Sequence, residues 1–251
     1  MTTELWIGAA GLVVGVLYGL FGVGSAFATP MLAMIGIPGM AAVVGPLPAL
    51  LPGSIAGAWS YSRAGRVDWL VARRTIACAL PATVVGVVAS QWIGGPALVA
   101  MSGVILLGVG IRVLRPAPAA DGLPWAHEHP GLMCVAAMAV GFLSGLLGNG
   151  GGFLLVPLFL LAVGLEMNVA TGTSLVAASL LTVPILVTHA LIGDINWAVA
   201  GAFALGLLPG TQLGARGSRW FPAHRLQTAF GVLLVGFALW FLVREAAPLL
   251  R

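Results

Sequence analysis

Long apolar runs are the feature that most constrains the fold of this chain. They occupy eight stretches, which are 5–34, 41–61, 70–91, 97–114, 131–163, 169–190, 197–215 and 224–243. Each has about 18 residues or more, the length a helix needs to cross the bilayer. They are continuously apolar and not alternating, so they indicate helices and not the strands of a membrane barrel. With 60% hydrophobic and 7% charged residues, the chain is predicted to be an all-α, multi-pass membrane bundle.

The fifth apolar run is interrupted by glycines. It reads GFLSGLLGNGGGFLLVP over 141–157, with glycine at 148, 150, 151 and 152. Each glycine costs about 1 kcal/mol relative to alanine inside a helix. The run is therefore predicted to form two shorter helices joined by a glycine link, the second beginning near Gly151.

The first apolar run contains a related segment, GVLYGLFGVGSAFATP at 15–30. There Ser25 and Ala26 stand where the later run has Gly151 and Gly152. The same interruption is therefore predicted twice, with fewer glycines in the first copy. This difference predicts that the second copy holds a ligand more tightly.

The two segments belong to a wider internal repeat. At an offset of 126 positions, Gly15, Gly19, Gly22, Gly24 and Phe27 correspond to Gly141, Gly145, Gly148, Gly150 and Phe153. At an offset of 128, Pro81, Thr83, Gly86 and Trp92 correspond to Pro209, Thr211, Gly214 and Trp220. Such a duplication is common in transporters and predicts two repeats of about four helices, 1–115 and 131–251, joined by a cytoplasmic linker at 116–130.

GRVDW at 65–69 and GDINW at 193–197 are matching helix starts, with Asp68 and Asn196 as N-caps. The arginines favour a cytoplasmic location for both termini and for Arg63 and Arg66, but eight crossings then leave Arg216, Arg219 and Arg225 outside, in conflict with the positive-inside rule.

Cys78 and Cys134 lie in different apolar runs with no CxxC spacing, so they are predicted to be packing residues and not a disulfide.

Backbone groups freed inside a membrane must face protein or a polar cavity, so each interruption is a candidate ligand site. Exposed N–H groups and a helix N-terminus suit a small anion. The candidate substrate-binding residues here are Gly22, Gly24, Ser25, Gly148, Asn149, Gly150, Gly151 and Gly152. The alternative is that the glycines only allow helices to approach closely.

Further candidates lie in the later apolar runs. The hydroxyls of Thr171, Thr173 and Ser174 crowd one helical turn, and Thr211 and Gln212 lie one turn from Arg216. The hydroxyls would bind an anion or, alternatively, hydrogen-bond to the helix backbone. Arg216 would neutralise the anion or, alternatively, lie at the membrane interface and set the orientation of its helix. His189 is the proton-coupling candidate, with packing as its alternative.

Several function classes lack their sequence signals. The chain has no nucleotide-binding loop, no clustered His/Cys metal set and no GxSxG nucleophile. We therefore expect no enzyme activity, no cofactor or metal and no nucleic-acid partner. The expected partners are a small anion, the lipid bilayer and a coupling proton or ion, and the oligomeric state is open, with a homodimer among the choices.

The two interrupted segments, each followed by an irregular run and a G-x-x-[DN]-W helix start, resemble the TauE/SafE family of sulfite exporters. The resemblance covers about residues 10–245, and its most specific part is the GxGGGxxxxP motif ending at Pro157. It implies a duplicated permease that moves small, often sulfur-containing anions such as sulfite or organosulfonates. By this resemblance, Gly148 and Gly150–Gly152 correspond to the family's glycine motif. Residues 171–174 correspond to the Thr/Ser-containing start of its second span. An anion channel and a non-transporting membrane scaffold are the alternative functions.

Overall fold

The computed structural model describes residues 2–37, 39–93, 104, 107–108, 110–114, 130–148, 150–193 and 195–246. The regular secondary structure in these residues is helical, with turns between the helices. The α-helices are α1 (Thr2–Phe21), α2 (Gly24–Met34), α3 (Gly39–Val44), α4 (Leu47–Arg63), α5 (Trp69–Ser90), α6 (Pro130–Leu147), α7 (Gly152–Leu158), α8 (Met167–Ile192), α9 (Trp197–Gly217) and α10 (Ala223–Ala246). A π-helical turn, Phe159–Val163, follows α7.

Six helical segments in the described part of the chain are long and apolar enough to cross a bilayer. They are Thr3–Phe21, Ala41–Arg63, Trp69–Ser90, Pro130–Leu147, Met167–Ile192 and Trp197–Trp220. The all-α membrane fold predicted from the apolar runs is therefore confirmed. The part of the predicted linker at 116–129 and most of the predicted span 97–114 lie outside the described residues, and Pro130, the last residue of the predicted linker, begins α6.

The two predicted N-caps are present. The Asp68 carboxylate accepts hydrogen bonds from the backbone N–H groups of Leu70 and Val71, and the Asn196 side chain accepts from Ala198 and Val199. Each cap satisfies two of the N–H groups that have no partner within the first turn of a helix. These caps fix the starts of α5 and α9.

Both predicted glycine interruptions are present as well. α1 ends at Phe21 and α2 begins at Gly24, whereas α6 ends at Leu147 and α7 begins at Gly152. The first link contains one left-handed glycine, Gly22 with φ 72°. The second contains three, Gly148, Gly150 and Gly151, with φ 63°, 65° and 76°. L-residues with side chains rarely adopt these angles, so glycine is required by the backbone geometry.

α1 and α9 run side by side in the same direction, in direct backbone contact. A Cβ atom on a glycine of α1 would overlap the backbone of α9, and the contacts pair Gly11 with Phe203, Gly15 with Leu207 and Gly19 with Thr211. The glycines of α9 oppose α1 in the same way, with Gly206 against Gly8, Gly210 against Leu12 and Gly214 against Val16. Small residues let membrane helices approach this closely and gain van der Waals contact.

α5 and α6 form a second parallel pair of the same kind. Here Gly141 contacts Ala79, Gly145 contacts Thr83 and Gly86 contacts Phe142. These contacts correspond to those of Gly15 with Leu207, Gly19 with Thr211 and Gly214 with Val16 at the offsets of 126 and 128 positions. In both pairs the first long helix of one half therefore packs against the third long helix of the other half.

The chain reverses direction at the first interruption. Gly24 lies against the Tyr18 side chain and the Val14 carbonyl, so α2 starts alongside the end of α1. α4 then runs parallel to α9, because Gly53 contacts Leu207 and Gly57 contacts Thr211. Since α1 and α4 both run parallel to α9, the segment between them returns through the bundle.

The second interruption reverses the chain in the same manner. α8 is antiparallel to α4, because Gly57 contacts Leu175 and Gly172 contacts Tyr61. α5 follows α4 through the turn at 64–68 and is antiparallel to it, and α6 is parallel to α5. α6 and α8 therefore run in the same direction, and α7 lies on the return segment between them.

These reversals correct the predicted placement of the arginines. Arg219 was predicted on the face opposite to Arg63, but its Nη2 lies 3.5 Å from the carbonyl oxygen of Ser60, near the end of α4. The prediction counted each first apolar run as one crossing, whereas each contains a reversal that changes the direction of every later helix in its half. The ends of α4 and α9 therefore share one face of the bundle.

The prediction for the cysteines was wrong. Cys78 on α5 and Cys134 on α6 form a disulfide with a Cα–Cα distance of 5.5 Å. Nothing in their spacing of 56 residues indicates proximity, which arises because the glycine contacts bring α5 and α6 together. The disulfide links the two halves of the chain covalently.

Candidate functional site

The two glycine interruptions meet inside the bundle. A Cβ on Gly152, the first residue of α7, would overlap the carbonyl oxygen of Gly22. Gly22 in turn faces α7 and α8, because a Cβ on it would lie 3.1 Å from Val156 Cγ2 and 2.6 Å from Ser174 Oγ. Gly22, Gly152 and Ser174 were predicted as site residues from different parts of the chain, and the fold brings them together.

Two glycines of the second interruption oppose hydroxyl groups. A Cβ on Gly150 would overlap Thr182 Oγ1, and one on Gly151 would overlap Ser144 Oγ. These hydroxyls already donate hydrogen bonds within their own helices, Thr182 to the Ala178 carbonyl at 2.7 Å and Ser144 to the Val140 carbonyl at 2.6 Å. At these positions the glycines allow close packing, as the alternative interpretation of the motif proposed.

The predicted hydroxyls at the start of α8 have three different environments. Ser174 donates to the Thr171 carbonyl at 2.8 Å, and Thr173 Oγ1 accepts from the Asp68 N–H at 3.0 Å. Thr171 is fully buried, and its Oγ1 has no hydrogen-bond partner among the described residues. Its Cγ2 lies 3.5 Å from the position of a Cβ on Gly22, so this unsatisfied hydroxyl lies beside the first interruption.

His189 lies beside the second interruption. It is buried, and its Nε2 is 4.0 Å from the position of a Cβ on Gly148. The other neighbour of that position is Val43 Cγ1 at 3.7 Å. Gly148 therefore has more open space beside it than Gly150, Gly151 or Gly152.

Other predicted residues lie elsewhere or are not described. Thr211 is buried between α1 and α4 and donates to the Leu207 carbonyl at 2.8 Å, while Gln212 is exposed and accepts from Arg216 Nη2 at 3.5 Å. Gly24 begins α2 against Tyr18. The Ser25 side chain and all of Asn149 lie outside the described residues.

Two tyrosines near the first interruption were missed in the sequence. Tyr18 is buried against Gly24 and hydrogen-bonded to Ser54, and Tyr61 donates a hydrogen bond to the Gly19 carbonyl at 2.9 Å. They are the only tyrosines of the chain. Both tyrosines lie within predicted spans, where a hydroxyl group needs a hydrogen-bond partner. Their positions could therefore have indicated buried polar contacts.

The polar interior of the described region lacks buried negative charge. Its fully or nearly fully buried polar residues are serines, threonines and His189, with no aspartate or glutamate among them. Hydroxyls donate hydrogen bonds readily, and a carboxylate would repel an anion. The interior is therefore suited to a neutral or negatively charged small molecule.

Sequence comparison places this chain among known proteins. The sequence model of the family described as "Sulfite exporter TauE/SafE" matches residues 7–241. A "Probable membrane transporter protein" of Xylella fastidiosa (strain 9a5c) is 30% identical over 97% of this chain and 96% of its own length. A similar protein of the strain Temecula1 / ATCC 700964 is also 30% identical, with the same coverage of both chains.

A shorter match is to the "Probable membrane transporter protein YunE" of Bacillus subtilis (strain 168), at 35% identity over 38% of this chain and 34% of that protein. No solved structure is significantly similar. The match over nearly the whole chain agrees with the interrupted helices and the matching helix starts. The chain belongs to the sulfite exporter TauE/SafE family.

Proposed function

We propose that this protein is a secondary transporter that moves a small, sulfur-containing anion, such as sulfite or an organosulfonate, across the inner membrane. The observation that carries the proposal is the contact of the two interrupted helices at Gly22 and Gly152, beside the unsatisfied hydroxyl of Thr171. Interrupted helices that meet inside a bundle of repeats are where secondary transporters bind their substrates. The hydroxyl-rich interior without buried carboxylates and the family assignment support an anion.

The substrate hypothesis is tested by flux. Purified protein in liposomes should accumulate or release labelled sulfite, sulfate, thiosulfate or sulfoacetate with a rate that saturates with concentration. A channel would give flux that does not saturate and needs no gradient coupling. A scaffold protein would give no flux above empty liposomes, and this result would overturn the proposal.

Thr171→Val is the variant that probes the proposed site most directly. The change removes a hydroxyl with no protein partner and keeps the side-chain shape, so stability should change little. Transport should fall about ten-fold or more, because a hydrogen bond to a charged group contributes roughly 1.5–3 kcal/mol. The measurement is initial flux, together with the thermal unfolding midpoint in detergent.

Thr83→Val is the matched control. Thr83 is also fully buried in a long helix, but its hydroxyl is already satisfied because it donates to the Ala79 carbonyl at 2.9 Å. Its flux should equal that of the unmodified protein. Equal flux in the two variants would remove Thr171 from the site.

The halves are proposed to be inverted repeats. The paired glycine contacts at matching offsets support this, as do the opposite directions of α1 and α6. The end of the bundle that carries Arg63, Arg66 and Arg219 is proposed to be cytoplasmic by the positive-inside rule. Thr2 then lies at the opposite end, and labelling of a cysteine placed at position 2 from outside intact cells tests this orientation.

His189 is proposed to couple transport to protons, because it is buried beside Gly148 at the second interruption. Histidine is the side chain whose protonation changes most readily near neutral pH. The pH dependence of flux in a His189→Gln variant tests this role. An unchanged pH dependence would exclude it.

A further inference from the structure

Arg66, in the turn between α4 and α5, has a different environment from its neighbours in sequence. Arg63 is exposed and stacks on Trp59 at 5.8 Å, and Arg73 is exposed and donates to the Trp69 carbonyl at 3.3 Å. Arg66 is half-buried, and its Nη1 is fully buried with no hydrogen-bond partner in the described part of the chain. A topology-setting arginine needs only water and lipid headgroups around it, so this burial requires another explanation.

The backbone around Arg66 is held against the beginning of α8. Its N–H donates to the Tyr61 carbonyl at 3.0 Å. Its own carbonyl lies so close to Gly172 that a Cβ there would overlap it, and Tyr61 Cβ would be 2.8 Å away from the same position. The Thr173 hydroxyl accepts from the N–H of Asp68, two residues later. The turn is therefore fixed on the first turns of α8.

Two more polar atoms on those turns are buried and unsatisfied. They are Asn168 Oδ1 and Thr171 Oγ1, which have no partner among the described residues. Asn168 and Thr171 are three positions apart and so lie on one face of the helix, and Gly172, which contacts Arg66, is four positions after Asn168. Buried polar groups are nearly always hydrogen-bonded, so the unsatisfied donors of Thr171 and Arg66, whose backbone contacts this turn at Gly172, indicate a missing ligand.

Arg66 and the N-terminus of α8 favour a negative ligand, whereas the carboxylate of Glu166, which is exposed to solvent, opposes it. α8 has 26 residues, and its N-cap residue, Glu166, makes no side-chain hydrogen bond to the first turn. The N-terminus of a helix attracts anions through its unsatisfied N–H groups and partial positive charge. Arg66 adds a full positive charge and has no ion pair in the described region.

We propose that Arg66, Asn168 and Thr171 form a binding site for a small oxyanion at the start of α8. The guanidinium group binds two oxygens of a sulfite or sulfonate group through its planar fork of donors, and the Thr171 hydroxyl donates to a third oxygen. Asn168 contributes by turning its carboxamide so that Nδ2, and not Oδ1, donates to the anion. This inference rests on the proposed function and identifies the positive charge that the substrate meets. Because Thr171 also borders Gly22, the site lies directly beside the first interruption.

The test compares three variants, Arg66→Met, Arg66→Lys and Asn168→Leu, with Arg73→Met as the control. Sulfite and sulfate are the probes, titrated against purified protein in detergent and measured calorimetrically, and flux in liposomes gives KM and maximal rate. Arg66→Met should weaken binding about 10- to 100-fold, because a hydrogen bond to a charged group contributes roughly 1.5–3 kcal/mol. Arg66→Lys should retain part of the affinity, since lysine keeps the charge and loses the fork.

The control should bind and transport like the unmodified protein, because Arg73 is exposed. If Arg66→Met does not give folded protein by gel filtration, the comparison of Arg66→Lys and Asn168→Leu decides, and both should raise KM. If the folded variants bind and transport like the unmodified protein, this site is overturned while the proposed function stands. Absence of sulfite and sulfate binding and of any flux in the unmodified protein would overturn both.

Discussion

The two glycine interruptions reverse the chain in the same way but are built differently. The first uses one left-handed glycine, Gly22, and the second uses three. In the second link, Gly150 and Gly151 oppose the hydroxyls of Thr182 and Ser144, and those hydroxyls are already hydrogen-bonded to their own helices. The unsatisfied hydroxyl of Thr171 lies instead at the first link.

This comparison distinguishes two reasons for a glycine in a link. One is the left-handed backbone and close packing, and the other is room for a ligand. The greater number of glycines in the second link reflects a longer left-handed path and closer packing, and does not by itself indicate tighter ligand binding. The first link has fewer glycines, yet the unsatisfied hydroxyl group belongs to Thr171, which lies beside it. We therefore place the centre of the proposed site nearer to Gly22 than the glycine motif suggested.

The contact between the two links is also asymmetric. Gly152 touches the Gly22 carbonyl, but the corresponding pair at an offset of 126 positions is Ala26 and Gly148. A Cβ on Gly148 would have Val43 and His189 as its described neighbours, at 3.7 and 4.0 Å. Glycine is needed at position 152 because of the contact with the Gly22 carbonyl, whereas position 26 holds a buried alanine.

Gly152→Ala should have the largest effect of the substitutions in these links. Its methyl group would overlap the Gly22 carbonyl, and a backbone atom cannot rotate away as a side chain can. We expect a loss near the upper end of the roughly 1–3 kcal/mol range for overpacking, and loss of transport. Equilibrium unfolding in mixed detergent measures the stability.

The control for this substitution is Gly201→Ala on α9, where a Cβ would meet no atom within 4 Å. It should not lower stability, since alanine favours a helix more than glycine does. If both alanine variants are equally stable, the contact between the two links is not the constraint we infer.

Gly150→Ala should have an intermediate effect that a second substitution relieves. The added methyl group would overlap Thr182 Oγ1. Alanine would also have to adopt the left-handed conformation of Gly150, whose φ is 65°. Thr182→Ala removes the overlap, because the next atom, Thr182 Cβ, is 3.7 Å away. Relative to Thr182→Ala alone, the double variant should therefore lose only the conformational cost of about 1–2 kcal/mol.

A double-mutant cycle on the free energy of unfolding measures this coupling. The cycle should give a favourable interaction energy of about 1 kcal/mol between the two substitutions. Additive effects would show that Thr182 does not limit the space at Gly150.

Gly148→Ala should have the smallest effect, because the methyl group has room and only the left-handed φ of 63° opposes it. The expected loss is about 1 kcal/mol. Gly193→Ala is the matched control, since Gly193 has φ 86° and no atom within 4 Å. A much larger loss at Gly148 than at Gly193, by thermal unfolding, would contradict the open environment described for Gly148.

Much of the fold follows from local patterns in the sequence. Apolar runs predict the membrane helices, the glycine clusters predict the interruptions, and Asp68 and Asn196 predict the helix starts. Each of these features is decided by residues that are close together in the chain. They could therefore be predicted without knowing how the helices pack.

The features that were not predicted depend on contacts between distant segments. A glycine link permits a bend of any angle, and the reversal at Gly22 is set by the packing of both α1 and α4 on α9. The disulfide depends on the pairing of α5 with α6 in the same way. Likewise, the hydrogen bonds that occupy Thr173 and Thr211, and leave Thr171 unsatisfied, depend on which neighbours each face of a helix meets.

The bond between Cys78 and Cys134 limits how this protein can move. It fastens the third long helix of the first half to the first long helix of the second half, and the glycine contacts hold α1 to α9 in the matching arrangement. The two halves of the chain therefore cannot rock against each other as separate rigid bodies. For the proposed transport we therefore expect motion between bodies that each contain helices from both halves, with α1 and α9 in one and α5 and α6 in the other.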